Sequence, residues 1–146
     1  MAMSSNNLDT LYRQVIMDHY KHPRNKGTLE GETLTAEMNN PSCGDRILLQ
    51  FKVSDGRVED VKFDGEGCSI SMSSASMMTQ AIKGKKISDA LKMSELFSNM
   101  MLGEDIDAGD LDLGDIEALQ GVSQFPARIN CATLGWKAME KGIQEK

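Results

Sequence analysis

Apolar positions along the chain change period twice, and those changes predict its elements. Leu8, Leu11, Tyr12, Val15 and Ile16 recur at helical spacing, with Asp9 near the start. A helix from about Leu8 to Tyr20 follows, stopped by Pro23. The pattern then becomes strand-like at Leu34 to Met38, Arg46 to Val53 and Arg57 to Phe63. Asp55-Gly56 is a hairpin signal between the last two, so the three strands form an antiparallel meander. From Ser69 the period turns helical again. Ser69 to Ile82 is rich in Ser, Ala and Met; small residues there suit close packing on a sheet. Ser88 to Leu102 is a further helix. Gly103 to Asp115 is an acidic insert, and Ile116 to Gly121 is a short helix or turn. Pro126 suits a first-turn position, and the last helix runs from about Ala127 to Gln144. Strands first and helices after predict an α+β domain spanning residues 1–146, with the helices on one face of the sheet.

Composition narrows the function. The 146 residues carry a net charge of -6, which argues against a nucleic-acid binder. No apolar run approaches the ~18 residues of a membrane span. The first ten residues lack a signal-peptide pattern, so the expected location is cytoplasmic. In a reducing compartment, three spaced cysteines are more often ligands or nucleophiles than bridges.

Cys43 lies in a turn before a strand, one glycine away from Asp45. Cys68 sits in a glycine turn before a helix, and Cys131 in the first turns of the last helix. A helix N-terminus favours thiolate. Three unrelated buried thiols remain an alternative, because cysteine is among the most buried residue types. Zinc takes four tetrahedral ligands and accepts both sulfur and oxygen, so three thiolates plus Asp45 could complete a site. Asp45 could equally be an ordinary turn former. Arg128, three residues before Cys131, would lie near it on a helix and could offset the charge; it could also be a solvated cation. His19 and His22 suit capping or a partner surface. The acidic insert fails as a calcium loop, because its glycine falls at the fifth position instead of the sixth. No Ser-His-Asp set is visible, so any catalysis must run through thiolates.

Four ordered motifs carry a resemblance. DHYKHPRNKG (Asp18 to Gly27), NNPSCGD (Asn39 to Asp45), GEGCSISMSSASMM (Gly65 to Met78) and the last-helix cysteine resemble the U-type iron–sulfur cluster assembly family, which comprises IscU, SufU and the NifU N-terminal domain. The resemblance implies a three-stranded antiparallel sheet with packed helices, and Cys43, Asp45, Cys68 and Cys131 converging on one surface site. IscU-type scaffolds carry a histidine directly before the third cysteine, where this chain has Asn130, and an LPPVK-like segment where it has VSQFPARINC. The insert and Arg128 are similar to SufU-type members. Those bind zinc and accept sulfur from a pyridoxal-phosphate cysteine desulfurase (SufS-like), passing it to a downstream iron–sulfur scaffold. The resemblance thus implies Cys43 as sulfur acceptor with Arg128 beside it, and Cys43, Asp45, Cys68 and Cys131 as zinc ligands. It leaves open a scaffold that holds a transient iron–sulfur cluster, and an adaptor that only activates its partner.

Overall fold

The structure, a computed structural model, describes residues 5–31, 33–40, 44–104 and 114–144, with the backbone alone for 5–12. The element order is α1 (Ser5–Lys21), β1 (Leu34–Asn40), β2 (Asp45–Ser54), β3 (Arg57–Glu66), α2 (Ser69–Ile82), α3 (Ile87–Met101), a 3-10 helix (Gly114–Gln124) and α4 (Pro126–Gln144). The meander and all four long helices are those the periodicity predicts, each within a few residues. The short element after the insert is longer than expected, at 11 residues. Most of the insert itself, 105–113, lies outside the described residues.

The strands pair antiparallel in the order β1-β2-β3. Asp55 and Gly56 both take positive φ, as a two-residue hairpin turn with the twist of its flanking strands requires. One face is buried: Ala36, Ile47, Leu49, Phe51, Val61 and Phe63 point inward. Val58 is buried too, although it lies three positions before Val61 and strict alternation would turn it outward. A register shift resolves this. Lys52 pairs with Asp60 and Val53 with Val58, so Glu59 is the extra residue of a bulge.

α4 lies across β1 and β2, and α2 touches β3, which places helices on the buried face. Gly142 permits the α4 approach: a Cβ there would meet the Phe51 ring at 2.7 Å. α2 packs chiefly between α1 and α4 rather than flat on the sheet. Its small residues therefore do more than save space. Ser73 donates to the Ile16 carbonyl at 2.7 Å and Ser74 to the Ala132 carbonyl at 2.5 Å. Both hydroxyls are buried, and each ties α2 to a neighbouring helix.

The outer edge of β3 is covered by two loop segments. Phe63 exchanges backbone hydrogen bonds with Asn25 and Gly27, and Val58 does so with Gly84 and Lys85. Covering an edge strand removes a template for unwanted pairing.

Candidate metal centre

The site forms where three elements meet at one end of the sheet. Asp45 opens β2 on its buried face and is 1% exposed. Its Oδ1 accepts the Cys68 N–H at 2.9 Å. Cys68 is the N-cap residue of α2, with extended backbone (φ −73°, ψ 169°), and it is half-buried. Cys131 falls in the second turn of α4 and is fully buried. One oxygen of Asp45 and the two sulfurs all lie within 4.8 Å of one another. Cys43 lies outside the described residues. Its neighbour Gly44 has φ +72° and donates its N–H to the Asn40 carbonyl at 2.9 Å.

Gly67 makes the convergence possible. A Cβ at this position would overlap the Asp45 carboxylate and stand 2.6 Å from Ser71 Oγ. The glycine is required by space, since its φ is not in the left-handed region.

The electrostatics favour thiolate. Burial opposes ionisation of Cys68, and so does the Asp45 charge. The N–H groups of Ser71 and Ile70 and the Ser71 hydroxyl outweigh both, so the thiol sits below its ordinary 9.0. Arg128, exposed on the first turn of α4, reaches both sulfurs. The Cys68 thiolate charge, then a hydrogen bond to Cys131, holds its guanidinium more firmly protonated.

A metal fits this donor set. A carboxylate and two thiols from three separate elements converge beside the Arg128 guanidinium. Borderline-soft sulfur with one oxygen suits zinc better than the hard cations.

His19 is not on a surface, contrary to the sequence expectation. It is fully buried: Nδ1 is 2.8 Å from Ser76 Oγ, and Nε2 is 2.8 Å from Asp115 Oδ2. The structure thus brings together a Ser-His-Asp set that the sequence order conceals. It is built as a brace and not as a nucleophile. Ser76 is fully buried, and its hydroxyl also accepts the Arg24 N–H at 2.8 Å. A sequence signal did exist. Position 19 continues the inward stripe of Val15 and Ile16 by four and three residues, so a core position is filled by histidine. His22 is exposed, and its N–H closes the end of α1 on the Asp18 carbonyl.

The profile of the NifU-like N-terminal domain family matches residues 11–132. The chain belongs to this family. Among its NifU-like relatives, the zinc-dependent sulfurtransferase SufU of Bacillus subtilis is 68% identical over 140 residues, covering 96% of this chain and 94% of that one. An iron–sulfur cluster assembly scaffold protein IscU of Streptococcus pyogenes is 43% identical over 144 residues, covering 99% and 88%. The crystal structure of a SufU from Fervidobacterium islandicum, described as a candidate scaffold of the SUF system, superimposes with a TM-score of 0.83 at 37% identity, covering 90% and 96%. The NifU-like domain therefore has both sulfurtransferase and scaffold relatives. Among its described residues, no helix is long and apolar enough to cross a membrane.

Proposed function

We propose that this protein is a zinc-dependent sulfurtransferase of iron–sulfur cluster assembly. It takes sulfur from the persulfide of a cytosolic cysteine desulfurase on Cys43 and passes it to a downstream scaffold. The observation that carries the reading is the convergence of Asp45, Cys68 and Cys131 beside Arg128, in a chain so close to a zinc-dependent sulfurtransferase. Residues 1–146 act as one domain in this reading.

Asp45, Cys68 and Cys131, with Cys43, would hold the metal. Bound zinc would supply a Lewis acid that keeps thiols deprotonated at neutral pH. The chain's own residues do the rest. Asp45, Cys68 and Cys131 are fixed by a strand, a helix cap and a helix, and Cys43 stands two residues before Asp45 in the sequence. Cys43 thiolate attacks the outer sulfur of the donor persulfide. The donor S–S bond breaks, the desulfurase cysteine leaves as thiolate, and the new S–S bond is on Cys43. No net oxidation occurs. Arg128 offsets the negative charge that accumulates where thiolates and a carboxylate meet.

The scaffold reading has support of its own in the IscU relatives. Asn130, where IscU-type scaffolds resemble one another in carrying histidine, favours the transferase.

The test is mass spectrometry after incubation with a cysteine desulfurase and cysteine. The wild type gains one sulfur atom on the Cys43 peptide. Cys43→Ala gains none and no longer stimulates the desulfurase. Undiminished stimulation by Cys43→Ala would indicate an adaptor instead, and accumulation of iron with sulfide would indicate a scaffold.

A further inference from the structure

We propose that Asn40 is a positioning residue of the metal centre: its side-chain amide donates to the Cys131 sulfur and governs how tightly the metal is retained. This rests on the zinc reading above.

Asn40 is the last residue of β1, and its side chain is on the buried face, 8% exposed. Ala36 and Met38 precede it on that face, so the period of the strand calls for an apolar residue here. An amide in such a place is costly unless it is hydrogen-bonded. Nδ2 stands 3.8 Å from Cys131 Sγ, a distance that suits N–H···S. The main chain of the same residue is tied to the other side of the site. It pairs in register with Asp45, and its carbonyl accepts the N–H of Gly44, the residue after Cys43. One residue therefore links two of the donors on separate elements: Asp45 by strand pairing and Cys131 by its side chain.

The chemistry gives the link a purpose. A thiolate that accepts an N–H bond is oriented by it and gives up part of its charge to it. Partners of this kind, one step outside the ligands, commonly alter metal affinity by about 10–100-fold. Arg128 approaches the sulfurs from the exposed side of α4. Asn40 approaches Cys131 from the sheet.

The experiment compares wild type, Asn40→Ala, Asn40→Asp and the exposed neighbour Asn39→Ala. Zinc release to a chromophoric chelator is timed, and the sulfur-to-metal charge-transfer band is recorded after cobalt substitution. Asn40→Ala is expected to release zinc about 10–100-fold faster and to shift the cobalt band. Asn40→Asp has nearly the same shape but replaces the donor with a carboxylate beside a thiolate; it is expected to release zinc at least as fast as the alanine variant. Asn39→Ala is expected to match the wild type. If the amide only fills space, Asn40→Asp keeps the wild-type rate and the band does not move, and that result overturns the proposal. The aspartate variant also carries the test if Asn40→Ala fails to fold. A wild type that holds no zinc would overturn the underlying zinc reading instead.

Discussion

At the scale of single residues, the site depends on groups that only the fold brings together. Cys43 and Asp45 are conspicuous in sequence because a soft and a hard donor flank one glycine. Asn40, Gly67 and Ser71 are not. Asn40 meets Cys131 and Gly67 meets Asp45 tens of residues away, Ser71 shows its role only beside the Cys68 sulfur, and nothing local sets Gly67 apart from the other glycines of its turn. Gly67→Ala is expected to push the Asp45 carboxylate out of place. It should cost about 1–3 kcal/mol in unfolding free energy and weaken zinc retention. Denaturant unfolding and metal analysis of the variant check both. Asp45→Asn separates ligand from brace: its side-chain oxygen can still accept the Cys68 N–H, but its charge is gone. The metal-free variant is expected to unfold within about 1 kcal/mol of the metal-free wild type, while zinc content falls. Unchanged zinc content would remove Asp45 from the ligand set.

Element by element, hydrophobic period was a sufficient guide to type and order, because each strand and helix buries one face. What it missed came from tertiary partners. The Glu59 bulge shows only in the pairing of β3 with β2, and the serines of α2 take their meaning from α1 and α4. His19 is the sharpest case. A histidine at a core stripe position becomes intelligible only when Ser76 and Asp115, far along the chain, close on its two nitrogens. The brace joins α1, α2 and the 3-10 helix that leads into α4. His19→Ala leaves a cavity and two polar groups without their partner, and is expected to cost about 2–4 kcal/mol. Asp115→Ala removes one half-exposed partner and is expected to cost about 1 kcal/mol. A double-mutant cycle on thermal or denaturant unfolding measures their coupling, and additive effects would show that the pair does not act as a brace.

For the molecule as a whole, the α+β class was legible because runs of strands precede runs of helices. The convergence of the site was implied only by the family resemblance, since no spacing rule connects Asp45, Cys68 and Cys131 across 86 positions. If the fold holds zinc in place, the metal also holds the fold. A ligand present at a thousand times its dissociation constant adds about 4 kcal/mol to unfolding. Stripping zinc is then expected to lower the melting temperature by on the order of 10 °C in a chain of this size, with recovery on readdition. An unchanged melting curve would place the metal outside the fold's support.

The most direct test is the metal content of protein purified without added metal, by elemental analysis per chain. A closed site of three cysteines and Asp45 in a sulfurtransferase predicts one equivalent of tightly held zinc and no iron. Little zinc, with iron and sulfide accumulating on reconstitution, would contradict that account and make the chain a scaffold.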